Sequence, residues 1–220
     1  MSKVIFSIYV DIAKHNLDNP GDFCWKTNTQ KFSNKSYEVK EALKKYEKEL
    51  NDSKMNYAKS VGADYILFQG DDEYTEYLDY FRFNFSEVSE YDVINFYKHW
   101  QMKNLTKKYD HICYMDYDVI PNTTESIFDT HDLDSFACAE SNADAEEGKN
   151  EDVRKYRKDI RNPATKYWNA HAMLTEVGYD GDTDVFNTGI MVATSKTINK
   201  FNYFESFEDV LKMMTFLKED

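Results

Sequence analysis

HICYMDYDVIP, residues 111–121, reads as a buried strand that acquires two aspartates as it ends. In a strand, residues two apart point to one face, so Asp116 and Asp118 are expected to present their carboxylates side by side. Two bare carboxylates at that spacing repel, and both lose hydration unless a cation lies between them. Either the strand has ended and both acids lie in water, or they share a cation.

Working outward, apolar runs alternate with helical patterns. Lys3–Val10 reads as a first strand, β-branched and aromatic with no charge from Val4 to Val10. Asn-Pro-Gly within residues 12–35 marks a loop. Ser36 can cap a helix on which Val39, Leu43, Tyr46 and Leu50 recur at spacings of three and four. A shorter helix is expected over Met55–Val61, with Gly62 as its stop, followed by the strand ADYILFQ (63–69). Further helices are expected over 73–82 and 91–108, the latter with Val93, Tyr97, Trp100 and Leu105 near one face. Beyond the acidic strand come a short strand at Ser135–Ala139, a polar excursion over 141–165 with a helix near Asp152–Ile160, a strand at Asp184–Ala193 interrupted at Asn187–Gly189, and a mostly helical tail from Ile198 to Lys218.

Short strands alternating with helices predict an α/β fold, a mostly parallel central sheet flanked by helices. In such sheets ligands sit at the carboxyl ends of the strands. Val10-Asp11, Gly70-Asp71-Asp72 and Asp116-Tyr117-Asp118 all fall at such ends. With 220 residues, three prolines and seven glycines, the chain offers no flexible linker, and one domain over 1–220 is expected.

The bulk numbers narrow the functions. Hydrophobic residues at 41% and aromatics at 16% give enough apolar surface for a folded core. Cys24, Cys113 and Cys138 form neither a disulfide framework nor a zinc pattern. A formal charge of −13 argues against nucleic acid or anionic membrane as partner, since both are held by Lys and Arg. The apolar run at the N-terminus is too short to span a membrane and lacks a cleavage region, so a cytoplasmic protein, bacterial or viral, is expected.

Four Asp-x-Asp triplets occur, at 116/118, 132/134, 180/182 and 182/184, and only the first directly follows an apolar strand. Carboxylate oxygens suit manganese or magnesium, which bind few protein ligands and leave positions for water and substrate phosphates. Such a cation explains both the tolerated pair and how an acidic chain holds a diphosphate.

The order Tyr-Asp, apolar strand, Asp-x-Asp, Val-Ile and a short Phe-Asp helix, in TKKYDHICYMDYDVIPNTTESIFD, resembles the centre of nucleotide-sugar-dependent glycosyltransferases of the GT-A fold. MNYAKSVGADYILFQ (55–69), NFYKHWQMKNL (95–105) and VFNTGIMVATSK (185–196) agree with further segments of that family in order, the last with retaining-type members. The resemblance implies a hexosyl transfer from a nucleotide-diphosphate sugar, a UDP-sugar foremost, to a carbohydrate or other hydroxyl acceptor. It implies that Asp118 binds the metal and that Asp116 contacts the metal, the ribose or both, with Tyr117 counted among the donor-binding residues. Tyr9, Val10 and Asp11 would hold base and ribose, Lys98 would approach the diphosphate or sugar, and Asn187 and Asp184 would line the sugar pocket. Tyr167, Trp168 and His171 would form an acceptor-facing platform.

Each assignment has a plainer alternative. Tyr9 reads equally as core, Lys98 as a lysine snorkelling from an apolar helix, and Asn187-Thr188-Gly189 as a bulge. The family often completes its metal site with a histidine or acid beyond the last motif, and no histidine follows His171 here, so water, His171 or a longer chain would have to serve. MDYDVIPNT also fits the motif of haloacid-dehalogenase-type phosphatases, although that motif usually lies on a first strand. A nucleotide- or sugar-binding module without catalysis is the third reading.

Overall fold

The computed structural model describes residues 1–12, 39–85, 90–140 and 186–201. Five strands, β1 (Lys3–Ile8), β2 (Asp64–Phe68), β3 (His111–Met115), β4 (Ala137–Glu140) and β5 (Phe186–Thr194), form one sheet in the order β2-β1-β3-β5-β4. β1 pairs in parallel with both β2 and β3. β5 pairs antiparallel with β3 and with β4. The α/β class expected from the alternation is therefore present, but the sheet is mixed: β5 runs against its two neighbours. Strand direction is set by how the chain returns to the sheet, which apolar periodicity does not record.

Side-chain alternation on the strands divides the core into two layers. Ile5, Cys113, Met115 and Val192 face helix α1 (Glu47–Ser60) and the segment carrying Phe128 and Leu133. Val4, Phe6, Ile8, Ile112, Tyr114, Met191 and Ala193 face helices α2 (Asp72–Asn84), α3 (Glu90–Leu105) and α4 (Ser195–Lys200). Covering both faces explains why Val4 through Ile8 is buried without alternation.

α1 is one helix of 14 residues where the sequence suggested two with a break between Leu50 and Met55. Leu50, Lys54, Tyr57 and Ala58 make one buried stripe along it, so Lys54 occupies a core position. Residues 39–45 are helical too, with a turn at Tyr46 separating them from α1; the expected start at Ser36 lies outside the described residues. Gly62 adopts φ 69°, and Ala63 and Gly62 donate to the carbonyls of Ala58 (2.9 Å) and Lys59 (3.3 Å), which closes the helix in a Schellman motif. The Asp71 side chain caps α2 by accepting from the Tyr74 N–H at 3.0 Å. A helix begins earlier than the expected tail, at Ser195, and ends at Lys200, with Phe201 extended as its C-cap. The rest of that tail, all but the first residue of the loop expected over 12–35, and the expected excursion over 141–165 with its helix near Asp152–Ile160 lie outside the described residues. Among the described residues no helix is long and apolar enough to cross a membrane.

Candidate functional site

β3 delivers the acidic pair, but not as a strand face. The strand ends at Met115, and Asp116–Val119 forms a turn closed by the Val119 N–H donating to the Asp116 carbonyl at 3.0 Å. Asp116 is half-buried, Tyr117 buried and Asp118 exposed. The two acids are thus shoulders of a turn whose middle residue points inward, and strand alternation does not govern them. Two contacts hold the chain where the strand ends. The buried Ser7 hydroxyl donates to the Met115 carbonyl at 2.7 Å, and the Asp116 N–H donates to the Gly189 carbonyl at 2.7 Å.

β5 meets the turn through a bulge. Cys138 of β4 pairs with Met191, yet Ala139 pairs with Asn187, so Thr188, Gly189 and Ile190 stand between successive partners. This is the interruption that Asn187–Gly189 suggested. The Gly189 N–H donates to Asn187 Oδ1 at 2.8 Å. A Cβ on Gly189 would fall 2.9 Å from Asn187 Oδ1 and 2.9 Å from Asp116 Oδ2, so glycine is what lets the bulge lie against the carboxylate. The other Asp116 oxygen accepts from the Tyr114 hydroxyl at 2.6 Å.

Lys98 does not snorkel. It is 4% exposed, and its ammonium donates to Thr188 Oγ1 at 2.8 Å and to the Thr188 carbonyl at 3.4 Å, 5.2 Å from the centre of the Tyr114 ring. Burial pulls its pKa below the usual lysine range, against the opposing pull of Asp116. Lys98 thus acts on the site by fixing the bulge at Thr188.

Tyr117, counted from the resemblance among donor-binding residues, is turned into the protein. Its ring stacks on Tyr9 with centroids 4.6 Å apart and planes at 23°, and its hydroxyl donates to the Glu47 carbonyl at 3.0 Å. Burial, reinforced by Glu47, raises its hydroxyl to about 12. Beneath it lies Lys54, fully buried, donating to the Tyr117 carbonyl at 2.6 Å and to the Leu50 carbonyl at 3.2 Å. Burial lowers this ammonium to about 8, while Asp118 and then Asp116 oppose the shift.

Tyr9 is neither core nor free: one ring face meets Tyr117, and the residue also lines a cavity of about 390 Å³. Val10, Asp11, Gln69 and Gly70, at the carboxyl ends of β1 and β2, line it too, with Tyr74 and Arg82 of α2 opposite. Asp11 is tied to Lys40 at 2.6 Å, which holds its carboxyl below the usual range. Neither Asp116 nor Asp118 lines this cavity; the Tyr9–Tyr117 stack joins it to the acidic turn.

The fold therefore gathers Tyr9, Lys98, Asp116, Tyr117, Asp118 and Asn187 around the end of β3. Asp184, Tyr167, Trp168 and His171 lie outside the described residues. Among the described residues no three His, Cys, Asp or Glu side chains converge as a metal cage, so the protein donors on offer are the two aspartates. An oxygen-only pair of this kind fits manganese or magnesium, which retain waters and take phosphate oxygens, better than zinc. Ser7, Lys54 and Tyr114 escaped sequence reading. Of these, Lys54 alone left a signal, a lysine in step with Leu50, Tyr57 and Ala58. No protein-family model matches the chain, nor does any curated protein or any solved structure.

Proposed function

We propose that the protein is a metal-dependent glycosyltransferase that moves a sugar from a nucleotide-diphosphate donor, a UDP-sugar foremost, to an acceptor hydroxyl. The observation that carries this reading is the acidic turn Asp116–Asp118 at the end of β3, with the bulge at Asn187–Gly189 on one side and, across the Tyr9–Tyr117 stack, a cavity at the ends of β1 and β2 on the other. An α/β sheet that collects polar groups at strand ends in this way suits a nucleotide ligand.

In this reading Tyr9, Val10 and Asp11 hold base and ribose in the cavity. Asp118, exposed, and Asp116, steadied by Tyr114, hold the divalent cation. When bound, the cation takes up negative charge that develops on the departing diphosphate. Asn187, with its amide oxygen fixed by the Gly189 N–H, faces the sugar, and Lys98 keeps the bulge in register through Thr188. The reaction then depends on orientation and charge stabilisation.

Calorimetric titration of UDP with and without manganese, on the native protein and on Asp118→Ala, tests the reading. Binding that requires manganese and is lost in the variant supports it, and release of sugar from a panel of UDP-sugars then names the donor. Binding without sugar release or transfer would identify a nucleotide-binding module. Failure to bind UDP or GDP under any condition would sink the proposal.

A further inference from the structure

Lys54 is the one fully buried lysine among the described residues, and the donor roles proposed above make no use of it. Its hydrogen bonds go to two neutral carbonyls, those of Leu50 and Tyr117, and its ammonium lies 5.1 Å from the centre of the Tyr117 ring. Neutral partners take two of its three N–H donors but do not balance a buried charge. The nearby negative charges that act on it are Asp118 and Asp116. Tyr117 lies between those two acids in sequence, so the bond to its carbonyl fixes the middle of the turn. The tyrosine is held at three further points: its ring stacks on Tyr9, its hydroxyl donates to the Glu47 carbonyl, and the same ammonium lies over its ring.

We propose that Lys54 is a positioning residue for the divalent-cation site: it anchors the Asp116–Asp118 turn from beneath, through the Tyr117 carbonyl, before the metal arrives. This rests on the glycosyltransferase reading, since it assigns the acidic pair to a cation. The ammonium reaches no ligand itself. It acts through the Tyr117 carbonyl, and a site held in shape beforehand spends less of its binding free energy on ordering.

The experiment is manganese titration followed by electron paramagnetic resonance, with UDP present, on the native protein, Asp118→Ala, Lys54→Met, Lys54→Arg and Tyr57→Phe. Tyr57 lies on the same helix, and its hydroxyl donates to the Glu125 carbonyl at 2.8 Å and accepts from the Ile127 N–H at 3.0 Å, so its loss destabilises the same layer without touching the turn. The expected result is a loss of manganese affinity of about tenfold or more in Lys54→Met, recovery in Lys54→Arg, and an affinity within about twofold of native in Tyr57→Phe, whatever the melting temperatures. Native or tighter manganese binding in Lys54→Met would overturn the inference, by showing that Lys54 only competes with the metal. An arginine variant no better than methionine, or an equal loss in Tyr57→Phe, would overturn it as well. If Lys54→Met does not fold, Lys54→Gln makes the same comparison with the same two outcomes. A native protein that takes up no manganese, and behaves like Asp118→Ala, would instead remove the glycosyltransferase reading and this inference together. That pattern is distinct from a native site indifferent to Lys54.

Discussion

His99 follows Lys98 on α3, and burial, with a smaller contribution from the Lys98 charge, lowers its imidazole to about 4. In the unfolded chain a histidine takes up its proton near about 6.5. Between those values the unfolded state binds more protons than the folded one, so stability falls as pH drops through the window and the loss is complete below about 4. Urea midpoints measured from pH 7 downward should therefore fall more steeply for the native protein than for His99→Gln. Parallel slopes would mean that His99 is not held neutral. The same burial argument separates two lysines from the surface ones: Lys54 and Lys98 are buried at 0% and 4% exposure, and they meet the backbone at Tyr117 of the turn and at Thr188 of the bulge.

At the scale of the element, the bulge in β5 makes the site. A regular antiparallel strand would continue the pairing set by Cys138 and Met191 and would leave Asn187 out of step with Ala139. The three intervening residues instead turn the Thr188 hydroxyl and carbonyl toward Lys98 and the Gly189 carbonyl toward the Asp116 N–H. Gly189→Ala tests this geometry. Its Cβ would press on Asp116 Oδ2 and Asn187 Oδ1, both ends of side chains that can shift, so the expected stability cost is small, about 1 kcal/mol. Displacing that carboxylate should nevertheless reduce manganese-dependent UDP binding by roughly tenfold, about 1.4 kcal/mol. A variant that binds as the native protein does would show that Asp116 needs no close approach of the bulge.

At the scale of the whole molecule, the chain carries a formal charge of −13. Its long-range field should draw a divalent cation toward the protein and be screened by salt, because the Debye length falls from about 30 Å at 0.01 M to about 10 Å at 0.1 M. Manganese affinity in the absence of nucleotide should accordingly weaken as sodium chloride rises, more than the two aspartates alone would require. Salt-independent affinity would confine the electrostatics to the turn itself. The two-layer core serves the site at this scale as well. α1 brings Lys54 under the turn from one face of the sheet, while α3 brings Lys98 to the bulge from the other.

By itself the sequence determined that strands and helices alternate, that β1 and β3 are buried, that Gly62 stops a helix, and that acids cluster at a strand end. These are local matters of periodicity, capping and turn chemistry, which neighbouring residues decide. The strand ending at Met115, the reversed β5, the joining of two expected helices into α1 and the inward turn of Tyr117 were decided only in the tertiary structure. Each depends on partners far along the chain: Ser7 and Gly189 for the end of β3, β3 and β4 for the direction of β5, the sheet for the stripe on α1, Tyr9 and Lys54 for Tyr117. Lys54 shows the physical reason most plainly. A lysine in a helical pattern reads as solvent-facing because an unpaired buried charge is costly. Only packing reveals that the Tyr117 carbonyl and its flanking acidic pair await it, 62 to 64 residues further along the chain.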